Sequence, residues 1–154
     1  MEESGGCEEV VPVHRYLVVA NQTLGGEPLL ARIRELVRAG PCSFHLVVPA
    51  TPPKNHAWTE GEVRAVAGTR LDAALARFAE LGAEAEGEVG DASPMLAIED
   101  AIREHGPFET IVLSTLPPGI SRWMKLDLPH RVESVFGVPV IHVVGAHEQI
   151  AAGG

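Results

Sequence analysis

Residues 16–20 are YLVVA, a continuous apolar run of the kind that a β-strand buried on both faces requires. Two similar runs follow, FHLVV at residues 44–48 and IVL at residues 111–113. Segments with apolar residues at helical spacing lie between the strands, and no hairpin signal joins one strand to the next. This alternation predicts parallel strands joined by right-handed crossovers, that is, a doubly wound α/β sheet.

Local signals place the helices between these strands. Thr59, followed three residues later by Glu62, forms a capping box at the start of the longest predicted helix. Ser93 is the expected N-cap of the next helix, with Pro94 at its first position. The predicted helices span residues 27–38, 59–82, 93–106 and 129–136, and a loop is predicted from 114 to 128.

Residues 83–89, AEAEGEV, indicate a strand of another kind. Glu84, Glu86 and Glu88 alternate with small or apolar residues, so one face is charged and the strand belongs at a sheet edge. With a last strand at 138–144, the chain has five parallel strands in the order 3-2-1-4-5. We therefore predict a three-layer α/β/α sandwich, Rossmann-like, whose ligands bind where the winding reverses between strands one and four.

The composition limits the class of protein. The 154 residues suit one domain at 15–145, with a flexible arm at 1–14 and a flexible tail at 146–154. The net charge of −9 argues against nucleic acid and against an anionic membrane surface as partners. No apolar run approaches a membrane span, the start of the chain is acidic, and two cysteines suggest free thiols. These features predict a cytoplasmic protein.

Common catalytic and metal-binding signatures are absent from the sequence. It contains no phosphate-binding P-loop, no G-x-G-x-x-G after the first strand and no nucleophile elbow. Cys42 and His45 have a ligand-like spacing, but the strand that holds His45 should be buried. We interpret these two residues, and His142 in the last strand, as core side chains. We therefore expect no metal and assign no catalytic residue.

The segment from Ser114 to Arg131 is the most informative for function. Its formal charge is +2, against −9 for the whole chain. It begins at the end of the fourth strand, which is the predicted switch point of the sheet. Cationic side chains and the free amides of a helix start describe an anion site. A solvated loop whose Trp123 and Met124 pack on the body or on a partner subunit explains the segment equally well. The candidate ligand-binding residues are Ala20, Asn21, Val48, Ser114, Thr115, Gly119, Arg122, Lys125, His130 and Arg131.

Three stretches of the chain resemble the universal stress protein family. They are the opening strand YLVVAN at 16–21, the turn VGDASPMLAI at 89–98, and Arg131-Val132 followed by VPVIHVV at 138–144. The resemblance implies an adenine nucleotide alpha hydrolase-like fold. It also implies a stress-response or regulatory protein, without catalysis, that forms homodimers and binds ATP, ADP or AMP.

The phosphate-binding loop departs from the pattern of the ATP-binding members. They carry G-x-x-G, nine residues and then G-[ST]. Here the first pair of glycines falls on Leu113 or Ser114 and on Leu116 or Pro117, and the last glycine falls on Leu126 or Asp127. Asn21 also stands where the family has an Asp.

Two hypotheses therefore stay open. The first is a module that binds a nucleotide or another anion weakly in the cleft between strands one and four. The second is a ligand-free homodimeric interaction protein, suggested by an exposed Trp123 and an apolar last strand. A reaction such as adenylyl transfer or ATP hydrolysis ranks third, because fold alone is weak support for an activity.

Overall fold

The computed structural model describes residues 12–51, 57–117, 119 and 121–145. Most of the predicted arm and the whole predicted tail, residues 1–11 and 146–154, lie outside the described residues. The elements in chain order are β1 (His14–Val19), α1 (Glu27–Ala39), β2 (Cys42–Pro49), α2 (Glu60–Glu80), β3 (Glu84–Gly90), α3 (Pro94–His105), β4 (Thr110–Thr115), α4 (Arg122–Lys125), α5 (Leu128–Phe136) and β5 (Val140–Val144).

The five strands form one parallel sheet in the order β3-β2-β1-β4-β5, which confirms the predicted order 3-2-1-4-5. β1 is the central strand, and Tyr16 is in register with Phe44 of β2 and Thr110 of β4. β3, the strand with alternating glutamates, lies at one edge as expected. None of the helices in the described ranges is long and apolar enough to cross a membrane.

Helices cover both faces of the sheet and create two cores. Successive residues of a strand point to opposite faces, so Val18 joins one core and Val19 the other. The first core lies under α1 and α2 and includes Ile33 and Phe78. The second lies under α3 and α5 and includes Ile98. Both cores consist mainly of Val, Leu, Ile and Ala, as the scarcity of aromatic residues implies.

The predicted helix caps are confirmed. The amide of Glu62 donates to Thr59 Oγ1 at 3.1 Å, and the amide of Thr59 donates to Glu62 Oε1 at 2.9 Å. Ser93 Oγ accepts from the amide of Leu96 at 3.4 Å. Gly137 ends α5 with φ 67°, a left-handed conformation that glycine adopts without strain.

The structure corrects the loop that was predicted after the fourth strand. The predicted loop at 114–128 begins with two strand residues, Ser114 and Thr115, and contains the short helix α4. The sequence signal failed there because both strand residues are polar, although they are buried. Trp123 was expected to pack on the body of the domain or, in the homodimer hypothesis, to be exposed; it is only 9% exposed and packs in the same core as Leu128. An exposed Trp123 therefore cannot support a dimer contact.

Two glycines offer a matched test of the packing between α2 and β3. A Cβ at Gly87 would lie 2.7 Å from the backbone oxygen of Leu46 and 2.7 Å from Leu71 Cδ1, whereas one at Gly68 of α2 meets nothing within 4 Å. Gly87→Ala should lower the free energy of unfolding by about 1–3 kcal/mol through overpacking. Gly68→Ala should raise it by about 0.5–1 kcal/mol through helix propensity. Urea denaturation followed by circular dichroism measures both, and equal effects of the two changes would contradict this packing.

Candidate functional site

The crevice between the carboxyl ends of β1 and β4 is closed by the protein itself. Thr23 Oγ1 and Ser114 Oγ form a buried hydrogen bond of 2.6 Å across it. The amide of Gly145 donates to the carbonyl of Thr115 at 2.7 Å, and a Cβ on Gly145 would lie 2.6 Å from Thr23 Cγ2. These contacts fill the crevice with the protein's own side chains and backbone.

Asn21, the first residue after Ala20 at the end of β1, connects three elements. Its Nδ2 donates to the carbonyl of Pro49 at the end of β2, at 2.8 Å. Its Oδ1 accepts from Nη1 of Arg70, which lies on α2. The amide thus fixes the ends of two neighbouring strands to the helix that packs over them.

Arg70 is the site residue that the sequence analysis missed. It is partly buried, and this burial lowers the pKa of its guanidinium from the ordinary value. Its position was visible in the sequence, because it follows Val63 by seven residues and Ala67 by three, on the apolar side of α2. A cation within an apolar stripe is the signal that could have identified it.

A narrow cleft opens beside the Asn21–Arg70 pair. One wall is apolar, and the other carries an amide, a hydroxyl and a guanidinium. The cleft encloses only about 10 Å³, roughly the room for one water molecule, so a ligand could lie only across its mouth. The residues that line the cleft are Asn21, Thr51, Trp58, Val63, Val66, Ala67 and Arg70.

Of the predicted ligand residues at the strand ends, only Asn21 lines this cleft. The side chains of Ala20 and Val48 are fully buried in the core, so they offer no surface to a ligand. Ser114 and Thr115 are also buried, and their hydroxyls are used within the protein. Sequence reasoning placed these residues at the correct edge of the sheet but could not show which of them face inward.

The remaining predicted residues, at 119 and within 122–131, form an exposed surface. Gly119 has φ +100°. The exposed side chains are those of Arg122, Lys125, His130 and Arg131. Asp127 stands immediately before α5 with φ 55°, and its carboxylate lies 3.4 Å from Nδ1 of His130 instead of capping the helix. A negative charge therefore already occupies the helix start at which an anion would be favoured.

Two residues considered as metal ligands are engaged in other contacts. Cys42 Sγ contacts the carbonyl of Leu36 at 3.7 Å, and burial raises the pKa of its thiol. His142 Nε2 lies 2.9 Å from Thr115 Oγ1, and burial lowers the pKa of His142, so its ring stays neutral at pH 7. Cys42 and His45 are three residues apart on one strand and point to opposite faces. The spacing that suggested a shared ligand pair does not bring them together.

No protein-family model matches the sequence, and no curated protein matches it. Solved structures do. A universal stress protein from Archaeoglobus fulgidus is 18% identical with a TM-score of 0.59, over 84% of this chain and 93% of that one. A protein from the universal stress protein family of Burkholderia pseudomallei is 18% identical with a TM-score of 0.58, over 83% and 93%.

A third similar structure is the universal stress protein from Archaeoglobus fulgidus in complex with dAMP. It is 18% identical with a TM-score of 0.59, and the match covers 87% of this chain and 99% of that one. The chain therefore has the fold of the universal stress proteins over most of its length, as the resemblance in sequence implied. At 18% identity, these similarities show the fold alone.

The Thr23–Ser114 hydrogen bond yields a testable prediction. Thr23→Val and Ser114→Ala should each lower the free energy of unfolding by about 1–3 kcal/mol, because each leaves a buried hydroxyl unsatisfied. The double variant should lose about 0.5–1.5 kcal/mol less than the sum of the single variants. Ser114→Ala combined with Thr69→Ala, an exposed threonine of α2, should be additive. Additive costs for Thr23 and Ser114 in urea denaturation would contradict the bond.

Proposed function

We propose that this chain, which has the fold of the universal stress proteins, is a divergent member of that family and acts as a non-catalytic stress-response or regulatory protein. Its role is to bind an adenine nucleotide, or another small anion, weakly at the carboxyl edge of the sheet. The observation that carries the proposal is the Asn21–Arg70 pair beside an apolar wall. A similar fold that holds dAMP in another protein adds support.

The cleft supplies the two kinds of contact that a nucleotide needs. The apolar residues Val63 and Val66, with Trp58, offer a surface for a base. Arg70 offers planar guanidinium N–H donors, which suit a phosphate because they can bind two of its oxygens at once. The proposed ligand therefore lies towards α2, beside the closed crevice between β1 and β4.

Weak rather than tight binding follows from the missing glycines. In the ATP-binding pattern, glycines let backbone amides approach the phosphates, and here leucine, proline and aspartate occupy those positions. The exposed cations on 122–131 can attract an anion over a distance but are screened by salt. We expect a dissociation constant on the order of 0.1–1 mM, and AMP or ADP to bind at least as well as ATP.

Isothermal titration calorimetry with AMP, ADP and ATP tests the proposal. Arg70→Gln should weaken the binding of AMP about tenfold, because a charge-assisted hydrogen bond to phosphate is lost. Arg122→Ala should weaken it less, since that side chain acts from the exposed segment. Arg77→Gln is the matched control: it removes the same charge from an exposed position on the same helix, and should leave binding unchanged.

Two results would contradict this function. One is the absence of heat with all three nucleotides at millimolar concentration. The other is equal affinity for adenosine and AMP, since the phosphate would then contribute nothing. If Arg70→Gln and Arg77→Gln weaken binding equally, the ligand is attracted by net charge and does not occupy the cleft.

Homodimer formation through the last strand is a second candidate function. β5 lies at the sheet edge opposite β3, and within the described residues its outer side has no partner strand. Val144 of β5 is 42% exposed, and Val135 of the adjacent α5 is 62% exposed. An uncharged edge strand with exposed valines is a common surface for pairing with a second copy.

We also propose that the protein is located in the cytoplasm.

Light scattering combined with size-exclusion chromatography tests the dimer. The protein should elute with twice the mass of one chain, and Val144→Lys should shift it towards the monomer by placing a charge at the edge. Leu96→Lys is the control, because Leu96 is 48% exposed on α3 and should not affect the mass. A monomer at high protein concentration would eliminate this candidate.

A further inference from the structure

Three potential metal ligands meet on the face of the sheet covered by α3. They are His45 of β2, Glu88 of β3 and His105 at the end of α3, and their ligand atoms all lie within 4.8 Å of one another. His45 Nε2 is 3.2 Å from Glu88 Oε2, and His105 Nε2 is 3.5 Å from Glu88 Oε1. The two imidazole rings stack with their centroids 4.3 Å apart. Three separate elements thus each place one donor atom within 4.8 Å of the other two.

His45 lies between two carboxylates at this point. Its side chain is only 5% exposed, and both ring nitrogens face carboxylates: Nδ1 lies 3.4 Å from Glu86 Oε2 and Nε2 lies 3.2 Å from Glu88 Oε2. A neutral imidazole donates one hydrogen bond and accepts with its other nitrogen. One of the two nitrogens therefore has a lone pair that a metal ion shared with the neighbouring carboxylate could take up.

Two of the three separations between donor atoms are close to those of a zinc-type site. Zinc–nitrogen and zinc–oxygen bonds of about 2.0–2.2 Å place the ligands of a tetrahedral site about 3.3–3.6 Å apart. Glu88 Oε2 lies 3.2 Å from His45 Nε2, and its other oxygen, Oε1, lies 3.5 Å from His105 Nε2. Glu86 would not bind the metal itself. Its carboxylate can accept the Nδ1–H of His45 and so hold Nε2 towards the metal, as is typical of histidine ligands.

We propose that His45 Nε2, the Glu88 carboxylate and His105 Nε2 bind one divalent metal ion of the zinc class. Solvent completes the fourth position, since the side chains of Glu88 and His105 are about one-third exposed, at 32% and 35%. The ion joins the edge strand β3 and the end of α3 to the interior strand β2. The site lies on the sheet face opposite α2, so it does not depend on the nucleotide cleft.

Calorimetric titration of the full chain with ZnCl₂ tests this site, using protein that carries no histidine tag and has been treated with EDTA. We expect one strong site per chain with a dissociation constant tighter than roughly 10 μM. Glu88→Gln keeps the shape of the side chain but removes its charge, and should weaken binding at least tenfold, as should His105→Gln. Glu86→Gln should weaken it about tenfold through loss of the orienting contact.

Glu84→Gln is the matched control for these variants. Glu84 lies on the same strand and the same face as Glu88, four residues away, and should bind zinc like the unchanged protein. Thermal denaturation with and without ZnCl₂ gives a second measurement: at the same zinc concentration, the melting temperature should rise less for Glu88→Gln and His105→Gln than for the unchanged chain and Glu84→Gln. Because His105 is partly exposed at a helix end, His105→Gln should fold even if a change in β3 does not.

Two outcomes would overturn the proposal. If zinc binds Glu88→Gln and His105→Gln as tightly as the unchanged chain, the metal lies elsewhere. If no binding saturates below millimolar zinc, the three residues do not form a metal site. Either result leaves the nucleotide proposal untouched, because none of the varied residues lines the cleft beside Arg70.

Discussion

The central strand β1 carries the constraint on which the rest of the structure depends. Residues 16–19 are at most 8% exposed and are paired on both sides, with β2 and with β4. A strand buried on both faces requires a helical layer on each side, and parallel pairing requires crossovers between the strands. The two cores, the order of the strands and the position of their carboxyl ends all follow from this requirement.

The polar groups at the carboxyl ends of the strands largely satisfy one another. Thr23 and Ser114 pair across the switch point, and Asn21 is shared between Pro49 and Arg70. Buried polar groups demand such partners, so the place where a doubly wound fold usually holds its ligand is filled by side chains. The space that is left lies towards α2. This displacement, together with the missing glycines, is why we propose a weak and non-catalytic binding function.

The glutamates of β3 illustrate how one sequence pattern can have two consequences. Alternating charge identified the strand as an edge strand, where it opposes pairing with other chains. The same alternation directs Glu86 and Glu88 to the face on which His45 and His105 lie. The edge position keeps both carboxylates in contact with solvent beside a buried histidine. The proposed metal site rests on that geometry.

The sequence by itself determined the fold class, the order of the strands and the helix caps, because burial patterns and capping are local or periodic properties. It also identified Asn21 at the correct edge of the sheet. Only the tertiary structure decided that Thr115 and Trp123 are buried, that Arg70 reaches Asn21, and that His45 meets two glutamates. These contacts join residues that are distant along the chain, and a contact of that kind depends on the register and facing of packed elements, which no local pattern encodes.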